Sequence, residues 1–453
     1  MNTKFIEFRN TYKEIIYKDY LIDEVDNNLV ITYLFEIPGL TEFKPTWSFP
    51  KAGIRTLDDA SRKVFENTVF NLGMVEVVSY LKATCSPTLV VKCGSLTDEQ
   101  IVWYKKLYIN GLGEFFYRNN IVEAMNIDTF LEIKVENNNN EKIELTQSLH
   151  GNLVPVGGGK DSSLSLEVLK DMDNMCYIVN PRRASRDSAI IGGYENKIYA
   201  PKRTLDSRLL ELNKQVFLNG HTPFSAILAF SSYASAVLLG REHIVLSNEA
   251  SANEANVSGT NINHQYSKSI EFENDFREYV YKFICENGPN YFSLLRPLTE
   301  WQIVKEFTKS NKYYEVFKSC NVGSKQDIWC ENCPKCLYVY IMVKAFLSDD
   351  DMNRIFKTDM LDNEDLRDIF NGLVYPDYDK PFECVGTKDE INLSLNMIVA
   401  KYNREKKPLP ALLKDFKPNL YNLELVMAEE AFKWNEENNL PEEFEKTLRE
   451  YIK

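Results

Sequence analysis

No stretch of this chain is long and apolar enough to be read as a membrane span. Its most apolar segment, residues 226–239, has 14 residues interrupted by serines. A bilayer needs roughly 20, so the segment reads as a buried helix. Met1 to Glu7 carry charge throughout, with none of the apolar core that an export signal needs. Basic residues are in deficit: 53 Lys and Arg face 66 Asp and Glu, a net charge of −13. Nucleic-acid binding leaves a basic footprint, so the balance argues against a nucleic-acid partner. Nine cysteines without an export signal predict reduced thiols and a cytoplasmic protein. Two familiar nucleotide signatures are also missing. Val154 and Asp161 stand where a Walker A loop needs its first glycine and its hydroxyl, and Ser162 stands where a dinucleotide fingerprint needs its third glycine.

What is present is a chain of 453 residues, 44% hydrophobic and 12% aromatic, enough for two or three domains with substantial cores. Residues 1–148 read as an α+β region. Helical apolar spacing covers 58–81 and 98–116, a buried strand 88–91, and alternation around Asn137 to Asn140 predicts a hairpin from 130–135 and 142–145. Residues 149–346 alternate strands (153–156, 176–179, 243–247, 292–295) with helices (161–171, 204–217, 225–239, 267–286, 300–309). That pattern predicts an α/β fold, a parallel sheet with helices on both faces. Ligands then sit beyond the carboxyl ends of the strands, at loops 157–162, 180–188, 248–266 and 296–300. Residues 347–453 read as acidic and mostly helical (363–373, 388–402, 421–434, 441–451), a small domain or cap.

The organising motif follows the first of those strands: Gly157, Gly158, Gly159, Lys160, Asp161, Ser162. Three residues without side chains let a backbone approach a polyanion, and the helix that follows points free N–H groups at it. Lys160 adds positive charge, and Asp161 a metal or hydroxyl partner. The stretch resembles the Ser-Gly-Gly-x-Asp-Ser signature of the PP-loop ATP pyrophosphatases, with Gly157 replacing the first serine.

Five further features carry chemistry. Arg182, Arg183 and Arg186 suit phosphate or carboxylate, or form a solvated basic patch. The loop from Asn248 through Glu249, Glu254, His264 and Tyr266 to Ser267 is too long and too polar for a plain connector; Ser267 alone reads equally as a helix cap. Cys320, Cys330, Cys333 and Cys336 form C-x9-C-x2-C-x2-C, whose thiolates can converge on a closed structural zinc site. The pattern is similar to the zinc site of 7-cyano-7-deazaguanine synthase. His221 is either a ligand contact or a helix-start residue. Cys384 stands just before a capping box at Thr387 and Glu390, where a thiolate is favoured, or is an inert buried cysteine.

Taken together, the glycine loop, residues 219–223, 248–267, 329–336 and 380–386 resemble one family, the MurL-type UDP-N-acetyl-α-D-muramoyl-L-alanyl-L-glutamate epimerases. The resemblance spans about residues 47 to 390 in order. It implies inversion of the terminal L-Glu of a UDP-linked muramoyl dipeptide to D-Glu, with ATP consumed to AMP and pyrophosphate. Gly157, Gly158, Gly159, Lys160 and Ser162, with Arg182 and Asn248, would then hold ATP, and Asp161 would hold Mg2+ with help from Glu249 or Glu254. His264 would be the main general acid/base, Cys384 the base on the opposite face, and Lys160 and Glu254 would assist. Arg183, His221, Glu249, Tyr266 and Ser267 would contact substrate. Trp47, Lys51, Glu114, Tyr117 and Arg118 would belong to a lid over the sugar nucleotide. Two other classes share the loop: an adenylating ligase or amidotransferase, and a tRNA-modifying enzyme. Oligomeric state is not legible.

Overall fold

A computed structural model describes residues 2–137, 142–253, 256, 260, 262–420 and 422–453. The chain packs as two compact units, each assembled from separated segments. The first comprises Met1–Leu153, Tyr199–Ile244 and Ile262–Tyr291; the second comprises Val154–Ile198, Val245–Asn261 and Phe292–Lys453. Among the described residues no helix is long and apolar enough to cross a membrane.

The first unit holds a seven-stranded sheet. Its strands are β1 (Glu14–Val25), β2 (Asn28–Ile37), β3 (Thr41–Phe43), β4 (Thr46–Pro50), β5 (Thr88–Ser95), β6 (Glu132–Asn137) and β10 (Lys202–Thr204). The order is β10-β4-β2-β1-β5-β6, with β3 beside β2. β1 and β2 pair antiparallel down to Val25 and Asn28. Asp26 and Asn27 close that hairpin with φ of 45° and 60°, the left-handed pair that a tight two-residue turn requires. β1–β5 and β5–β6 are parallel. The expected hairpin at 130–145 is therefore corrected: β6 spends its hydrogen bonds on β5, and Ile143 instead bridges Cys285. Its turn, residues 138–141, lies outside the described residues. The helix expected over 58–81 is two, Asp59–Glu76 and Val78–Thr84, and that over 98–116 is Asp98–Gly111 followed by Gly113–Arg118.

A second sheet has five strands, in the order β12-β11-β7-β8-β9. These strands are β7 (Asn152–Pro155), β8 (Asn174–Tyr177), β9 (Ile198–Tyr199), β11 (His243–Leu246) and β12 (Asn290–Ser293). β7 and β11 run parallel. The chain leaves β7 toward β8 and β9 and returns on the other side for β11 and β12. The order thus reverses between β7 and β11, where such sheets bind ligands. Val154, Val156, Leu164, Leu166, Val245 and Phe292 form the core of this layer, and Phe444 and Leu448 of the helix Glu442–Tyr451 pack into it. The helix expected over 204–217 covers only Ser207–Asn213, and the one expected from 267 begins at Ile270.

Candidate functional site

The glycine loop lies at the carboxyl end of β7. Gly158 adopts φ +86°, and a Cβ there would stand 2.5 Å from the Ser185 nitrogen, so only glycine fits. Gly157 has nothing within 4 Å of its missing Cβ and leaves the outer face open. Gly159 caps the helix Lys160–Val168 without any side-chain acceptor, so the first amides of that helix keep their anion-binding capacity.

Lys160 does not project into solvent. It is 1% exposed, and its ammonium donates to Glu300 Oε2 at 2.5 Å and to Asp161 Oδ1. Burial opposes its charge, but Asp161, Glu300 and Glu249 outweigh that and hold its pKa above the usual lysine value. Burial also pushes the Glu300 carboxyl up, against the pull of Lys160, and Asp161 and Glu249 add to the rise. One oxygen each from Asp161, Glu249 and Glu300 lies within 4.8 Å of the others. Three carboxylates against the Lys160 ammonium, with Lys335 a weaker pull on Glu300, leave excess negative charge, and an all-oxygen donor set fits a hard divalent cation such as Mg2+. Local structure fixes each of them. Glu300 opens the helix Glu300–Phe307 under the Thr299 cap, and its N–H donates to Glu390 Oε1 at 2.7 Å. Buried Arg296 donates to the Glu249 carbonyl at 2.7 Å.

The sequence pointed to loop 296–300 but did not single out Glu300. It also did not pair Glu114 with any histidine. Glu114 Oε2 lies 2.5 Å from His264 Nδ1 and 3.6 Å from His221 Nδ1, and the two imidazole centroids are 4.3 Å apart. Glu114 sits on the helix Gly113–Arg118 and is 6% exposed; Arg118, one turn on, pairs with its other oxygen. Lys82 is also buried and brackets His221 by donating to the Gly220 carbonyl and the Thr222 hydroxyl. Burial, then His264, brings the His221 pKa down to about 4; burial and Arg203 bring Lys82 to about 8. These three ligand-type residues are close enough for a metal. However, Arg118 and Lys82 bring positive charge to the single carboxylate, and Lys82 and Lys268 bring it to His221, which suits an anionic substrate better than a cation.

The remaining expected residues fall as follows. Arg182, Arg183 and Arg186 are exposed at the start of the helix Arg183–Ile191, and Arg183 pairs with Asp187 at 3.2 Å. Asn248 donates to the Ser293 hydroxyl at 3.0 Å, and Tyr266 is buried with its hydroxyl 3.4 Å from Asp275. Ser267 is buried in a short turn and does not cap the next helix; Ser269 does, accepting from the Phe272 N–H. Ser162 shares its hydroxyl between the Gly158 N–H and the Gly159 carbonyl, both at 3.3 Å. Cys384 is partly exposed three residues before the Thr387 cap, and its carbonyl accepts from Lys335. Glu254 lies outside the described residues.

The four cysteines converge. All their sulfurs lie within 4.8 Å of one another, with Cys320–Cys333 at 4.0 Å and Cys330–Cys336 at 3.7 Å. Tetrahedral zinc with Zn–S bonds of ~2.3 Å places sulfurs about 3.8 Å apart, so the donor set fits that ion. The Gly323 N–H donates to Cys320 Sγ at 3.0 Å, the kind of outer contact that holds a metal-binding thiolate.

Two family models match the chain: one described as the MurL N-terminal domain over residues 7–294, the other as the MurL C-terminal domain over residues 311–425. Three relatives carry the name UDP-N-acetyl-alpha-D-muramoyl-L-alanyl-L-glutamate epimerase. The protein from Micromonospora sp. is 33% identical over 358 residues, covering 77% of this chain and 78% of its own. That from Salinispora tropica is 32% identical over 358 residues (77% and 76%), and that from Xanthomonas oryzae pv. oryzae 29% over 402 residues (86% and 87%). No solved structure matches.

Proposed function

Because the chain belongs to the MurL epimerase family, we propose that it epimerises the terminal L-Glu of UDP-MurNAc-L-Ala-L-Glu to D-Glu, with ATP consumed to AMP and pyrophosphate. The observation that carries the proton-transfer half is the 2.5 Å pairing of His264 with buried Glu114. A carboxylate on Nδ1 fixes the imidazole tautomer and stabilises the imidazolium that forms when Nε2 takes a proton.

Removing the α-proton next to a carboxylate would place a carbanion beside an anion. In the proposed sequence, the terminal α-carboxylate oxygen attacks the α-phosphorus of ATP and pyrophosphate leaves with the bond to its bridging oxygen. The resulting mixed anhydride has lost the negative charge. His264 then takes the Cα proton, and the enolate oxygen is stabilised by the surrounding cationic groups. A proton returns on the opposite face, and water attacks the acyl carbon, expelling AMP and leaving the UDP-linked dipeptide with a terminal D-Glu.

Topology supports a PP-loop assignment: the glycine loop and Glu249 flank the reversal between β7 and β11. Gly157, Gly158, Gly159, Ser162 and the helix amides would hold the phosphates, and Asp161, Glu249 and Glu300 would hold Mg2+. When bound, Mg2+ neutralises phosphate charge at the reacting phosphorus. Cys384 remains the proposed donor on the second face, Arg182 and Arg183 the proposed contacts for substrate anions, and a cytoplasmic setting follows from the nature of the precursor.

Incubation with ATP and the UDP-linked dipeptide in deuterated water tests the whole scheme. D-Glu, AMP and one deuterium at Cα are expected; an amide product formed with added amine would instead identify a ligase. Cys384→Ala should still exchange the α-proton but not invert the centre. Near-wild-type inversion by that variant rejects the two-base assignment. For the cysteine cluster we propose a structural zinc ion. One zinc per chain is expected, and its chelation should lower the melting temperature by several degrees. Chelated, zinc-free protein that melts unchanged would rule it out.

A further inference from the structure

Beyond the glycine loop, the second unit contains a cavity of about 550 Å³, within the size range of small-molecule sites. It is lined by Ser251 after β11, Thr299 after β12, and Asn392, Glu390, Glu430 and Lys433 from the helical segment. Its two buried carboxylates are not equivalent. Glu390 is satisfied: Oε1 accepts from the Glu300 N–H at 2.7 Å, and Oε2 from the Thr387 N–H and hydroxyl at 2.8 Å. Glu430 is 5% exposed; Oε2 pairs with Lys433 at 2.5 Å, while buried Oε1 has no partner. An unpaired buried carboxylate oxygen costs free energy, so this one is aimed at a donor that the protein does not supply.

The charge balance selects the ligand. Both lysines at the cavity are committed, Lys433 to Glu430 and Lys388 to the carbonyls of Tyr375 and Tyr378. Glu390 and Glu430 would repel a phosphate or carboxylate. A neutral ring bearing hydroxyl and amide donors meets every requirement, since its donors reach Glu430 Oε1 and the side chains of Asn392, Ser251 and Thr299.

We propose that this cavity binds a sugar ring, and specifically the acetamido sugar of the UDP-linked precursor. The assignment rests on the function proposed above. Three sugars are available in that reaction, this one and the riboses of UDP and of ATP, and only the first carries an amide donor. Position speaks against the ribose of ATP: the cavity opens beyond β11 and β12, whereas the glycine loop proposed for ATP leans toward the helix after β8, where Gly158 packs against Ala184 and Ser185.

The test is direct binding of the UDP-linked dipeptide and, separately, of ATP and of free UDP, measured by calorimetry on the full chain. Two variants are compared. Glu430→Gln removes the unpaired carboxylate; Asp389→Trp obstructs the rim at an exposed side chain. Each should raise the Kd of the UDP-linked dipeptide tenfold or more and leave that of ATP within twofold, with melting temperature reporting fold. Unchanged affinity for the dipeptide in folded variants overturns the proposal, and a rise in Kd that free UDP shows as well, or one confined to ATP, overturns it in favour of a ribose. Epimerisation by the wild type is read in parallel. A wild type that binds the precursor without inverting it rejects the functional reading while leaving this site standing. One that binds no precursor rejects both.

Discussion

Glu114→Gln should lower kcat for epimerisation by about 10³–10⁴-fold while AMP formation from ATP continues. The glutamine keeps the volume of the glutamate but inverts half of its hydrogen-bonding character. Its amide N–H can donate to His264 Nδ1, which at present faces Glu114 Oε2 at 2.5 Å, and that holds the proton on Nε2, the atom required to accept one. The change also removes the negative charge that stabilises the imidazolium. His221 does not replace the lost base. Burial and His264 already bring its pKa to about 4, and Glu114 is the group that opposes that fall, so the amide makes His221 a weaker base still. Continued AMP release separates this role from a structural one, since a misfolded chain loses both activities. Chiral analysis of glutamate alongside an AMP assay checks it. Near-wild-type inversion, or parallel loss of both activities in a folded variant, defeats the assignment.

The contrast between what the sequence shows and what the fold adds is clear in these same residues. Gly158 was legible because its requirement is local: a left-handed backbone and a close neighbour are written as a glycine. The four cysteines were legible because short spacings force convergence. Glu114 was not, because its partner His264 stands 150 residues away and nothing in a six-residue helix marks one glutamate as buried. Glu300 was hidden for the same reason, 140 residues from Lys160. The strands from Glu14 to Pro50 were overlooked although Asp26 and Asn27 form a recognisable turn. Charges at Asp19, Asp23 and Glu24 fall on the outer part of β1 and mask its alternation, whereas Ile15, Ile16 and Tyr17 are buried. In the second sheet β7, β8, β11 and β12 were placed to within about two residues because apolar runs bounded by turn residues survive burial on both faces; the two-residue β9 was not expected.

Lys160→Met should destabilise the metal-free protein by about 3–5 kcal/mol and abolish AMP formation. In the wild type this ammonium is 1% exposed and pairs with Glu300 and Asp161. Removing it leaves Asp161, Glu249 and Glu300 converged within 4.8 Å with no cation among them, and a buried charge stripped of its partner is far costlier than an apolar replacement of the whole group. The sign of the Mg2+ effect follows from the same count. Three carboxylates without the lysine attract a divalent ion more strongly than three with it, so added Mg2+ should raise the melting temperature of the variant more than that of the wild type. The pH effect reinforces this. Burial raises the Glu300 carboxyl above its ordinary value, opposed by Lys160, and without Lys160 it rises further. Such a group contributes stability below its unfolded pKa and loses it as pH climbs through the folded one. The variant should therefore be closest to wild type in mild acid and fall away toward neutral pH. Thermal melts across pH, with and without Mg2+, read both effects. Equal Mg2+ stabilisation of the two proteins would show that the three carboxylates are an internal ion-pair network rather than a cation site.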